Sequence, residues 1–238
     1  MSKILLRLTT MLATMSFLMG CVQPQPSSEY TVVIQPADFV DVVNNPYFPL
    51  IPGSRYVYKS DTDEGVERIE VEVLFETKEI MGISATVVRD RVYLDDTLIE
   101  DTYDWYAQDL EGNVWYLGEE VSNYKNGQYV GDAGSWEAGV DGALPGIIMF
   151  ADPAAHLGET TRQEYYKGVA EDMADLMSVS ERVTIPYGSF DNVVQTQDHT
   201  PLEPDLLEYK YYAIGVGMVL EVNPNTGEEV VLVEFISP

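Results

Sequence analysis

The chain has little of what most catalytic and metal chemistry needs. Its 238 residues include one cysteine and two histidines. One cysteine excludes an intramolecular disulfide and any zinc site built from several thiolates. Two histidines exclude a metal centre of three imidazoles. Basic residues are scarce: 13 Lys and Arg face 40 Asp and Glu, for a formal net charge of −27. A chain this acidic, without a Lys/Arg cluster, repels phosphate backbones, so nucleic acid is excluded as a partner. Gly-x-Ser-x-Gly is absent. A Ser–His–acid triad would need His156 or His199, and each reads as a plain turn or surface histidine.

One apolar run stands out. Lys3 and Arg7 precede Leu8 to Met19, a stretch too short to span a bilayer comfortably and suited to a secretory signal. It ends in Leu18-Met19-Gly20-Cys21, which resembles a bacterial lipobox. That resemblance implies cleavage before Cys21 and lipidation of its thiol and new amine. Several acyl chains anchor stably where one is marginal. Val22-Gln23-Pro24-Gln25-Pro26-Ser27-Ser28 then reads as a polar tether. Val22 stands where Asp would resemble an inner-membrane retention signal, so the expected address is the outer membrane, facing periplasm or surface. Cleavage removes Lys3, Arg7 and no acid, which moves the net charge from −27 to −29. The plain reading of that charge is surface solvation; the sharper one is cation binding.

The expected organisation is a signal peptide over 1–20, an anchor and irregular lead-in over 21–45, and one all-β domain over 46–238. With 45% hydrophobic residues the chain can build a core. Period-2 patterns dominate. In 68–76, Ile69, Val71, Val73 and Phe75 alternate with Arg68, Glu70, Glu72 and Glu76, the pattern of a half-buried strand. Further strands are predicted over 55–60, 86–93, 101–108, 114–117, 121–124, 128–130, 160–166, 173–185, 193–197, 208–213, 218–223 and 228–235. Gly82, Leu94–Thr97, Asn126-Gly127 and Pro224–Gly227 mark turns. Only 170–177 offers a brief helical alternative. The glycine-rich stretch 131–158 loses periodicity; Trp136 and Ile147–Phe150 are expected to pack over the sheet as a plug or lid. So many short antiparallel strands must curl into a sandwich or a partly open barrel to protect their edges.

Several segments resemble a family of exported bacterial proteins of unknown function. They include Asp104-Trp105-Tyr106-Ala107-Gln108-Asp109, Gly112-Asn113-Val114-Trp115-Tyr116, Gly134-Ser135-Trp136-Glu137-Ala138-Gly139 and Thr200-Pro201-Leu202-Glu203-Pro204. The likeness covers most of 46–236 and implies no activity. His199 stands where relatives carry an aromatic residue. Val183-Thr184-Ile185-Pro186-Tyr187-Gly188 with Tyr212-Ala213-Ile214-Gly215-Val216-Gly217 is similar to curved periplasmic sheets that cover or carry apolar ligands.

Candidate sites are of two kinds. Ca²⁺ takes hard oxygens from a turn and a distant acid. Asp109, Glu111 and Asn113 surround Gly112, and Glu164, Glu171 and Asp172 form a second acidic cluster, with salt bridges to Arg162, Lys167 and Lys210 as the alternative. Trp105, Trp136, Glu203 and Glu208 are candidates for ligand contact, against a plain core role for the tryptophans. The leading expectation is a non-enzymatic, outer-membrane-anchored lipoprotein binding a small apolar or glycan ligand, without cofactor unless Ca²⁺. The alternatives are a hydrolase using paired acids, with or without Ca²⁺, and a structural envelope protein acting through protein contacts.

Overall fold

The computed structural model describes residues 30–238. Signal peptide, Cys21 and tether lie outside the described residues. The compact unit runs from Thr31 to Pro238. Within it the chain first forms three short strands, β1 (Phe39–Val40), β2 (Val43–Asn45) and β3 (Phe48–Leu50). A first meander follows: β4 (Arg55–Thr62), β5 (Gly65–Ile80), β6 (Ile83–Leu94), β7 (Thr97–Asp109) and β8 (Val114–Lys125). The stretch after it holds β9 (Gln128–Gly131), β10 (Trp136–Glu137), β11 (Leu144–Met149), β12 (Thr160–Arg162) and β13 (Glu164–Tyr165). A second meander ends the chain: β14 (Met173–Ile185), β15 (Gly188–Thr200), β16 (Glu203–Ala213), β17 (Gly217–Val222) and β18 (Glu229–Ile236).

Hairpin turns set the register of the first meander and of the β8–β9 pair that follows it. Met81-Gly82, Asp95-Asp96 and Asn126-Gly127 each place two consecutive residues at positive φ. That is the type I′ geometry, whose twist matches the flanking strands. The two meanders join where β18 pairs with β4, Leu232 opposite Tyr58. Residues far apart in sequence thereby become neighbours in one antiparallel sheet.

The free ends of this sheet meet in a single short segment. β12 pairs with β14, Arg162 opposite Met173. Two residues later β13 pairs with β11, Pro145 opposite Glu164. β11 in turn pairs with β8. The all-β sheet is therefore nearly closed into a barrel, with Gln163 at the seam. Three register shifts in the β14–β15 ladder supply curl. Gly146 is required at the seam, because a methyl there would overlap the Arg162 carbonyl and the Gln163 backbone.

Alternation sorts the residues into two apolar groups. Tyr56, Tyr58, Val73, Val88, Val194, Tyr212, Val219 and Leu232 form one buried cluster. Ala85, Val87, Trp105 and Ala107 take the opposite positions on β6 and β7, and pack with Leu117, Trp136, Ala138 and Ala143. The glycine-rich stretch is thus partly cover, as expected, with Trp136 and Met149 buried. It is also partly sheet: Gly146–Met149 pairs with β8 across a bulge. Two other expectations change. The 170–177 stretch contains no helix; Ala170 bridges Tyr166 and a strand starts at Met173. The lead-in is not irregular throughout, since β2 and β3 form a two-stranded hairpin. It also holds a single 3₁₀ turn, Pro36–Asp38, begun by a proline whose missing N–H is not needed there, and Pro49 fits a strand position whose N–H needs no ladder partner.

Candidate functional site

The hairpin β2–β3 is fixed against the barrel by polar contacts. Asn44 and Gln108 exchange hydrogen bonds: the Asn44 amide N–H donates to Gln108 Oε1 at 2.8 Å, and Gln108 Nε2 donates to Asn44 Oδ1 at 2.9 Å. The Asn45 side chain, buried, donates to the Gly112 and Phe150 carbonyls, both at 3.0 Å. Phe48 then meets Tyr106 edge-on, ring centroids 5.3 Å apart, and Tyr212 at 6.3 Å. Tyr56 donates its hydroxyl to the Pro49 carbonyl at 3.2 Å.

Between this hairpin and the sheet a hollow of about 300 Å³ remains. Its apolar lining comes from Phe48, Leu50, Tyr56, Ile69, Val71 and Val88 on the first half of the chain, and Met218 and Val230 on the second. Its polar lining is Asp90, Asp104, Lys210 and Glu221. Strand alternation places them there. Asp90 is in phase with Val88, Asp104 with Tyr106, and Lys210 with Tyr212. The intervening residues of β6 and β7 make the other face: Arg89 forms a two-pronged pair with Asp101 at 2.7–2.8 Å, and Arg91 reaches Glu70 at 3.1 Å.

The interior charges are unequal. Lys210 is held by Asp198 at 3.2 Å and by Glu208 and Glu221 at 3.7 Å each. These carboxylates keep its pKa well above the ordinary lysine value despite burial. Asp90 has no such partner. Burial, then repulsion from Asp104, Glu100 and Glu67, pushes its pKa well up, and its buried Oδ1 has no hydrogen-bond partner. Tyr116 donates its hydroxyl to Asp104 Oδ1 at 2.5 Å. Burial nevertheless raises Asp104 to about 7. Burial and the charges of Asp104 and Glu164 raise Glu119 to about 9. Glu164, beside the Trp136 indole, rises to about 7 through burial and repulsion from Asp172. A band of carboxyl groups disfavoured as anions thus runs along the barrel interior. These four are a small share of the 40 acidic residues.

The sequence-derived candidates fall in several places. Trp105 is buried on the face opposite Asp104, under Lys78 Nζ at 3.1 Å from the ring centroid, and does not line the hollow. Trp136 meets Tyr116 edge-on at 5.4 Å. Asp109 accepts from the Asn113 backbone and side chain and from Trp115 Nε1, so its carboxylate closes its own turn, while Glu111 is exposed. Glu164 and Asp172 come together across the seam, where the Glu164 N–H donates to the Asp172 carbonyl at 3.4 Å. Glu171 turns away, accepting from the Gly168 N–H at 2.8 Å and lying 3.8 Å from Arg162. Glu203 is exposed and Glu208 joins Lys210. Among the described residues no three acidic, His or Cys side chains converge as a metal ligand set. His156 stacks on Phe150 at 3.7 Å and His199 lies 3.6 Å from Asp175; neither lines the hollow.

Asp90, Asp104, Glu119 and Glu221 are not among the sequence-derived candidates, and Lys210 enters there only as a salt-bridge partner. Their signal was present: each is a charged residue in phase with the inward apolar or aromatic positions of its own strand, where a packed interior would carry none.

No protein-family model matches the chain. No curated protein matches it either. Among solved structures, the chain is similar to the crystal structure of a "putative lipoprotein" from Parabacteroides distasonis ATCC 8503. The two are 13% identical, the match covers 81% of this chain and 99% of that one, and the TM-score is 0.38. A likeness of that size carries no argument about activity or ligand.

Proposed function

We propose that this is an exported bacterial lipoprotein, anchored at the outer membrane through Cys21, whose barrel holds a small ligand in its interior without turning it over. The supporting observation is the hollow. Small barrels fill their interior with side chains or hold one small ligand. This barrel leaves about 300 Å³ beneath the β2–β3 hairpin. That volume is at the small end of ligand sites, and an apolar lining with a few polar groups is the usual composition of such sites. The lipobox and the tether support the anchor.

The test is equilibrium binding of indole, a small neutral apolar probe, to wild type and to Val88→Trp, which fills the hollow. Saturable one-site binding that disappears in Val88→Trp is expected. No binding to wild type would sink the reading. A hydrolase is the second reading, favoured by Asp104 and Glu164 at about 7, where a general acid works best near neutral pH. It requires turnover that Asp104→Asn or Glu164→Gln abolishes.

A further inference from the structure

We propose that the hollow takes an organic cation, a small protonated amine with an aromatic or apolar body, its ammonium seated against Asp90 and Asp104. This rests on the ligand-binding reading above and names the class of ligand. Three observations carry it.

The first is an unanswered acceptor. Asp90 lines the hollow, and its buried Oδ1 has no hydrogen-bond partner. A buried carboxylate in that state is costly unless a donor meets it. An ammonium brings three donors and the opposite charge. The second is charge balance. Among the described residues the one cation lining the hollow, Lys210, is already engaged by Asp198, Glu208 and Glu221. Among the described residues no basic side chain offsets Asp90 or Asp104, and Glu100 beside both and Glu67 beside Asp90 are acids as well. An anionic ligand would meet repulsion here, and a neutral one would bring at most a hydrogen bond and no balancing charge. The third is the aromatic wall. Phe48, Tyr56, Tyr58, Tyr106 and Tyr212 all line the hollow. Aromatic faces attract desolvated cations, and such cages are a recurrent solution for ammonium groups. A bare metal ion fits less well, since no three acidic side chains converge among the described residues and most of the lining is apolar.

The test compares three probes of one shape in calorimetric titrations of the purified full chain at pH 7.5 and fixed ionic strength. They are 3-phenylpropan-1-amine, neutral 3-phenylpropan-1-ol and anionic 3-phenylpropionate. The amine is expected to bind at least about tenfold more tightly than the alcohol, a difference of about 1.4 kcal/mol, and the propionate not measurably. The double variant Asp90→Asn/Asp104→Asn should lose that preference while still binding the alcohol, which also reports that its barrel is intact. If the double variant fails to fold, Asp90→Asn alone is read in the same way, with a partial loss expected. Equal binding of amine and alcohol, or a preference that survives in the variants, would overturn the cation proposal and leave the ligand-binding reading standing. If none of the three binds, both fall.

Discussion

Asp104→Asn isolates the electrostatic strain of the interior. Asparagine keeps the shape and an Oδ1 that accepts from Tyr116, but carries no charge. The Asp104 carboxyl has its pKa raised from 3.8 to about 7. Below the lower value the folded and unfolded chains are both protonated there, so the group does not affect stability. Between the two values only the unfolded chain releases the proton, so stability falls as pH rises. Above about 7 the loss is complete. Each unit of raised pKa corresponds to about 1.4 kcal/mol, which sets an upper value of roughly 4 kcal/mol. Asp104 keeps some solvent-accessible surface, so about 1–3 kcal/mol is a better expectation. Removing the charge also relieves Glu119, whose pKa Asp104 helps to raise. For a chain of this size each kcal/mol moves the melting temperature by about 2–4 °C. Thermal melts of both proteins from pH 4 to 9 should show nearly equal midpoints at the acid end. The variant should gain about 3–10 °C over wild type by pH 8.5. A gap that does not change with pH, or a variant less stable at pH 8.5, would refute the reasoning.

Three further outcomes follow from the structure. Trp136→Ala should lower stability by about 3–5 kcal/mol, because the indole is 4% exposed and packs edge-on against Tyr116, and denaturant unfolding measures it. Gly146→Ala should cost at least about 1–3 kcal/mol through overlap with the seam backbone, and hydrogen exchange should rise first in β11–β13. Cys21→Ser should move the protein out of the detergent phase on partitioning, since the anchor depends on that thiol; unchanged membrane fractionation would contradict the lipobox.

What the sequence made legible is local. Alternation over 68–76 becomes the middle of β5, and the turns at Gly82, Asp95-Asp96 and Asn126-Gly127 sit where their residues demand positive φ. What stayed hidden is long-range or too short for a period to register. β10 has two residues, and the strand expected over 160–166 divides at Gln163 into β12 and β13, which pair in different directions and bring the sheet ends together. β11 reads as a continuous apolar run because a bulge between Ile147 and Met149 breaks its alternation. The acidic candidates are clusters along the chain, but a barrel interior gathers residues across strands. The β6–β7 ladder brings Asp90 and Asp104 together, and Lys210 joins them only after β18 meets β4. Alternation puts Trp105 and Asp104 on opposite faces of β7, and only the strand pairing shows that the Asp104 face lines the hollow.

The central claim is that the barrel interior holds a small molecule. Its most direct test is native mass spectrometry of the protein purified without denaturation from the cell that makes it, beside Val88→Trp made the same way. The account predicts a discrete small-molecule adduct on wild type that collisional activation removes, and no adduct on the filled variant. Wild type free of any adduct, or the same adduct on both proteins, would contradict it.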